Sequence, residues 1–425
     1  MNRLKRLGWP GAPAGVSMAQ RHNFRMVQLE GVGVAISNGA LPFVPVFLAR
    51  LGASNFEVGL LSAMPAFTGL VLAIAVGRLL LSQRNVAPWY ARSRLLSIVP
   101  FGLTGLVTLL LPARYAIPAV LVIWALATVP QILVNVSFSV VMNSVAGPKR
   151  RYDLLSRRWS VMGLISATLI AIAGQALGWV RFPLNYQVLF MALSLGGPIA
   201  LYFGGRLRLP DNLPSAASGR SLTGQWRSFV GLLRSQPAFV NFTSKRFIYL
   251  AGVTLAAPIF PLYYVRVARA NDAAIGLIST AQTLTLLIGY RLWTRMSQRR
   301  GSRPVLLLTT LALSLYPALT ASTRQVWLIV LLAGLAGVFQ AGFDLVFFDE
   351  MMKRVPAGQA ALFVSFDQSA QNLSAVAAPL IGSLLADRIG LGGALLVSAG
   401  VRLVACGLFA RGRPGADVVE TASQT

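Results

Sequence analysis

Long apolar stretches alternate with short polar connections along most of this chain. Twelve can be drawn, at 27–49, 56–82, 94–112, 116–143, 158–180, 185–205, 238–265, 273–296, 304–322, 325–351, 359–386 and 390–410. A helix that crosses a bilayer needs about 20 mostly apolar residues, whereas a barrel strand needs only about 9–11. The stretches therefore predict helices. Inside them polar positions are sparse and fall at helical spacing. Thr128, Gln131, Asn135 and Ser139 stand three or four apart in the fourth stretch, and Gln340 and Asp344 four apart in the tenth. Glu30 and Asn38 share a face of the first. In the eleventh, Asp367 and Gln371 share one face and Gln368 and Asn372 another, while Gln282 sits near the middle of the eighth.

The second half of the pattern repeats the first. Leu41-Pro42-Phe43-Val44-Pro45 returns as Ala257-Pro258-Ile259-Phe260-Pro261, with the prolines offset by 216. The run Gly59-Leu60-Leu61-Ser62 returns as Gly276-Leu277-Ile278-Ser279, offset by 217. Gln131, Asn135 and Phe138 return as Gln340, Asp344 and Phe347, offset by 209, and Val145 and Val355 are offset by 210. A duplicated set of apolar helices predicts an all-α membrane protein of twelve transmembrane helices in two pseudo-symmetric six-helix bundles. The predicted division is a cytoplasmic N-terminal segment 1–26, bundles at 27–206 and 237–412, a cytoplasmic linker 207–236 and a cytoplasmic tail 413–425. Within the linker, Trp226, Phe229, Val230 and Leu233 lie opposite Arg227 and Arg234, which predicts a short amphipathic helix on the membrane face.

Composition supports the membrane and charge gives the orientation. Of 425 residues 12% are charged, where soluble proteins carry about 25%. The net charge of +26 would suit a nucleic-acid partner if it formed a soluble face, but it does not. Of the 38 Lys and Arg, 28 lie at the termini or the even-to-odd connections, against 7 at the remaining connections. Lys245, Arg246 and Arg402 fall within stretches. This is the positive-inside pattern, and it predicts both termini in the cytoplasm of a multi-pass protein of a bacterial inner membrane. With one cysteine, Cys406, and one histidine, His22, there is little raw material for a metal centre or a catalytic triad. No phosphate-binding Gly-x-x-x-x-Gly-Lys-Ser/Thr run occurs. The expectation is a protein that is not an enzyme, with no cofactor, no metal and no nucleic-acid partner.

Taken together, residues 24–412 resemble the major facilitator superfamily. Gly289 to Pro304, with Arg291, Arg295, Arg299 and Arg300, looks like the family's basic loop between helices 8 and 9, and Gly77-Arg78-Leu79 with Arg84 echoes it between helices 2 and 3. Both copies lack the usual acidic residue: Gln298 stands at its place in one, and no Asp follows Gly77 in the other. Ala378-Pro379 to Ala386-Asp387 looks like the family's eleventh helix. Drug–proton antiporters of the superfamily often carry an Arg in helix 4 and a Gly-Pro signature in helix 5. Thr128 to Asn135 holds no Arg and Gly163 to Gln175 no proline.

The resemblance implies a secondary transporter working by alternating access, with helices 1, 4, 7 and 10 around a central cavity. Polar side chains at such depth are costly, about 2.5–3.5 kcal/mol for an Asp at the centre, and mark pathways or interhelical bonds. Glu30, Asn38, Gln131, Asn135, Gln282, Gln340, Asp344, Asp367 and Gln371 are the candidates for substrate cavity or coupling. Asp344 lies nine residues before Lys353, about 13 Å inside the cytoplasmic boundary at ~1.5 Å per residue. Gly77, Arg78, Arg299, Arg300, Asp349 and Glu350 are the candidates for a cytoplasmic gate. Arg402 is open between snorkelling to a headgroup and pairing with an acid. Pro42, Pro45, Pro258 and Pro261 should bend the outer parts of helices 1 and 7. The expected partners are a small solute, neutral or cationic and amphiphilic, the lipid bilayer, and a proton or sodium ion; the protein is expected to be a monomer. Efflux is the favoured direction. The alternative is a protein of the same fold that handles a lipid or pigment, or assists assembly of a membrane complex, without pumping.

Overall fold

The computed structural model describes residues 18–81, 83–209, 236–354 and 360–411, and every regular element among them is an α-helix. In order these are α1 (Met18–Asn38), α2 (Phe43–Arg50), α3 (Asn55–Leu81), α4 (Ala87–Leu110), α5 (Ala113–Ala176), α6 (Leu184–Ser194), α7 (Gly196–Gly204), α8 (Pro237–Ala256), α9 (Ile259–Arg266), α10 (Asp272–Arg300), α11 (Ser302–Ala321), α12 (Val326–Met352) and α13 (Ala360–Arg411). Among the described residues eleven helical segments are long and apolar enough to cross a membrane. The last, Phe366–Arg411, covers two predicted stretches and turns at Gly390, whose φ of 77° no other residue type adopts readily. Large apolar side chains such as Leu110, Leu126 and Ile288 point outward, as they should where lipid replaces water.

The repeated prolines break their helices at matching places. The first predicted helix ends at Asn38 and resumes as α2 behind Pro42, which stands at its N-cap. The seventh ends at Ala256 and resumes as α9 behind Pro258, again at the N-cap. Proline has no N–H to give the preceding turn, so the chain closes that turn by other bonds, Leu41 N to Asn38 O and Ala257 N to Thr254 O, each 3.2 Å.

Two expectations change. Residues 1–26 are expected outside the first helix, yet α1 begins at Met18. Its polar first turns are anchored rather than solvated: Asn23 exchanges two hydrogen bonds with Arg208, 2.8 and 2.9 Å, and His22 bonds the Arg206 carbonyl at 3.0 Å. Hydropathy cannot register such polar anchors. The fourth and fifth stretches are expected as separate helices, but α5 runs through the connection between them as one 64-residue helix. The amphipathic helix expected around Trp226–Leu233 lies outside the described residues.

The chain divides into two compact units. Among the described residues unit 1 holds 18–52 and 71–209, and unit 2 holds 53–70 and 236–411. In unit 1, α1 packs on α5 and α7, and α4 on α5 and α6. Gly33 and Gly196 let α1 and α7 touch backbone to backbone: a Cβ on Gly33 would stand 2.6 Å from the Gly196 oxygen. At the α2 end Phe47 stacks on Tyr186, centroids 5.0 Å apart. In unit 2, α8 packs on α13 and α10 on α12, around the rings of Tyr249, Phe343 and Phe347. The start of α3 belongs to this unit. Asn55 donates to Asp387 of α13 at 2.7 Å and accepts from Arg266 of α9 at 2.6 Å, and Arg266 also donates to the Ala53 carbonyl.

Candidate functional site

In unit 1 one carboxylate organises the polar interior. Glu30 on α1 has no exposed surface. Arg158 of α5 approaches it to 2.5 Å and Arg94 of α4 to 3.0 Å, and the Tyr90 hydroxyl donates to it at 2.9 Å. Arg94 donates to the same hydroxyl at 3.1 Å, and Arg158 donates to the Val27 carbonyl and lies over the Phe138 ring. A buried charge persists only with such compensation. Glu30 therefore sits in a closed ionic cluster, tied to two cations.

Unit 2 holds a second such pair and one acid of another kind. Asp367 on α13 is 3% exposed and is paired with Arg246 of α8 while accepting from Gln371 at 2.7 Å. Arg246 lies over the Phe347 ring. On α12, Asp344 is exposed and accepts from Gln340 at 2.8 Å and from Tyr290 of α10 at 3.3 Å. Both donors are neutral. Unit 1 repeats the arrangement without the charge: Gln131 donates to Asn135 at 3.1 Å.

The remaining candidates divide. Asn38 is half-buried at the end of α1, and its carbonyl closes the turn into α2. Gln282 is exposed on α10. At the end of α12, Glu350 is buried against Ser302 of α11, Lys353 at 3.0 Å and Arg354 at 2.9 Å, while exposed Asp349 pairs with Lys353 at 2.8 Å. These groups tie α12 to the start of α11. Arg299 and Arg300 are exposed in the last turn of α10. Gly77 and Arg78 lie in α3, and their side chains are outside the described residues.

Arg402 takes neither course left open by the sequence. It is 4% exposed and donates to two backbone carbonyls, Leu313 at 3.1 Å and Val253 at 3.5 Å, with no carboxylate partner among the described residues. Sequence reasoning missed Tyr90, Arg94, Arg158 and Tyr290. Both arginines stand at the basic margin of a predicted stretch, where a cation reads as fringe charge.

The profile of the Major Facilitator Superfamily matches residues 242–424. The chain is 26% identical over 162 residues to the multidrug resistance protein MdtG of Proteus mirabilis (strain HI4320), and 26% over 178 residues to that of Serratia proteamaculans (strain 568). These matches take in 37% and 39% of this chain and 40% and 43% of the relatives, so the chain spans about two fifths of their length. Among solved structures it is similar to a mutant form of the nucleoside transporter NupG, with a TM-score of 0.69 at 12% identity over 92% of this chain and 99% of that one. It is also similar to a bacterial homologue of the iron transporter ferroportin in an inward-facing state, with a TM-score of 0.66 at 14% identity over 93% and 99%.

Proposed function

We propose that this chain, whose residues 242–424 match the Major Facilitator Superfamily profile and whose fold is that of solved transporters, is a secondary transporter, exporting a neutral or cationic amphiphile by alternating access with coupling to a proton at Asp344. The carrying observation is the difference among three acids. Glu30 and Asp367 are each neutralised in place by arginine, whereas Asp344 is held by an amide and a phenol. A neighbouring cation favours the ionised form of a carboxyl, whereas neutral donors leave a carboxyl without that bias. An exposed carboxyl inside an apolar helix faces water-filled space rather than acyl chains. The matching position in unit 1 is an amide, Asn135, so the protonatable group is confined to one half.

Substrate class and direction rest on two supports. The arginines of the polar interior are Glu30- and Asp367-bound or carbonyl-bound, which leaves little to attract an anionic solute. The relatives named above are multidrug resistance proteins. The same reading takes the two repeated halves, 27–206 and 237–412, as the bundles that alternate, in an inner membrane with both termini cytoplasmic.

The test uses proteoliposomes with an imposed pH gradient and ethidium, a lipophilic cation, as probe. Wild type should accumulate ethidium against its gradient, and Asp344→Asn should melt at the same temperature but lose the gradient-driven component. Equal gradient dependence in the two proteins would refute coupling at Asp344. No gradient-driven movement of ethidium by wild type would refute the substrate class.

A further inference from the structure

Each unit contains an acid, an arginine and a phenylalanine ring in contact. In unit 1 Arg158 of α5 pairs with Glu30 of α1 and lies 5.6 Å from the centroid of Phe138. In unit 2 Arg246 of α8 pairs with Asp367 of α13 and lies 5.5 Å from the centroid of Phe347. The repeat connects them. The offset of 216 that carries Pro42 to Pro258 carries Glu30 to Arg246. The offset of 209 that carries Gln131, Asn135 and Phe138 to Gln340, Asp344 and Phe347 carries Arg158 to Asp367. The same three positions are thus filled twice, with acid and base exchanged and the ring retained.

We propose that this is one ion-pair device built twice with opposite polarity, and that in unit 2 Arg246 and Asp367 are positioning residues that set the pH at which Asp344 takes up a proton. The second clause rests on the transport reading above. An ion pair is indifferent to which helix supplies which charge, and the face of a phenyl ring attracts a cation from either side. Reversal therefore keeps the packing while changing what the neighbouring helix feels. Where the ring-bearing helix carries only an amide, Asn135, the cation comes from the far end of α5. Where it carries Asp344, the cation comes from α8.

Tyr290 of α10 donates to Asp344, and from α8 Arg246 lies over the ring of Phe347, one helical turn along α12 from Asp344, while Tyr249 stacks on the adjacent Phe343. Asp367 of α13 acts through Arg246. Next to Asp344 the contact with α11 is made by Gly342 against the uncharged Thr309, and the charged contact, Glu350 with Ser302, lies at the end of α12. Arg246 is the cation of this set, and Asp367 decides how much of its charge is already spent.

The experiment is an infrared pH titration of the full chain in proteoliposomes. It follows the carboxyl band that Asp344→Asn abolishes and requires no substrate. Arg246→Gln leaves the Asp367 anion behind and should raise the midpoint; Asp367→Asn leaves the Arg246 cation behind and should lower it, each by about one pH unit. The reversed pair Arg246→Glu/Asp367→Arg reproduces the polarity of unit 1. It should melt closer to wild type than either Arg246→Glu or Asp367→Arg alone, and should raise the midpoint. Midpoints that stay fixed or move in the same direction in the two neutralised variants would overturn the positioning role. A reversed pair no more stable than its single changes would overturn the shared device. If the band titrates as expected while ethidium flux ignores Asp344, the transport reading fails and this inference stands.

Discussion

Removing the Glu30 carboxylate should be among the most damaging single changes in unit 1. Glu30→Gln keeps the volume of the side chain and deletes its charge. Two guanidinium groups, at 2.5 and 3.0 Å, then lose their counter-ion inside the bundle, and Arg158 is itself only 2% exposed. Deleting one partner of a buried pair costs about 3–5 kcal/mol, because the remaining charge has lost its water and gained nothing. The Tyr90 bond adds to the loss, since its hydroxyl keeps a weaker acceptor. The assay is thermal melting and reversible denaturation in lipid nanodiscs for Glu30→Gln, Arg158→Gln and the double change. The double change should cost less than the sum of the singles, because it removes both members of the pair, while Arg94 keeps it below wild type. Additive effects in that cycle, or a Glu30→Gln protein as stable as wild type, would refute the reasoning and return Glu30 to the list of coupling acids.

Other outcomes follow from the same packing and charge arguments. Gly33→Ala would press a methyl group against the backbone of Gly196 and Ala200 and should cost about 1–3 kcal/mol by overpacking, read as a lower melting temperature; unchanged stability would mean that α1 and α7 are not in backbone contact. Arg266→Ala removes the donor to Ala53 and Asn55, so amide hydrogen exchange at 53–57 should accelerate while that of α13 does not; equal exchange would show that the segment is held by its apolar contacts instead. Reporter fusions at residues 215 and 420 should both report the cytoplasm, and opposite locations would overturn the charge-bias argument.

The class of fold was legible because apolar length is a direct demand of the bilayer. The proline breaks at Pro42 and Pro258 followed from a missing donor, a property of one residue. What escaped depended on partners. Hydropathy counts Arg94 and Arg158 with the basic margin, yet each reaches inward to Glu30. Glu30 itself looks like Asp344 on paper, an acid in an apolar helix, and only the neighbours separate a neutralised acid from one held by neutral donors. The connection inside α5 also escaped, since polar residues between apolar stretches can be loop or helix with equal composition. Arg402 stands out in the sequence but is not explained there, because no sequence pattern announces a bond to a main-chain carbonyl.

Arg402 has an electrical consequence. A guanidinium keeps its proton at neutral pH, and this one is bound to carbonyl dipoles that carry no net charge. When Asp344 is ionised, its charge and that of Arg402 offset each other; when it is protonated, that offset is lost. On the proposed coupling, loading a proton changes the net charge that the unit carries through the membrane field. Each elementary charge moved across the full field is worth about 2.3 kcal/mol per 100 mV, so even a fractional displacement is felt. The loaded and unloaded forms should respond differently to membrane voltage at equal pH.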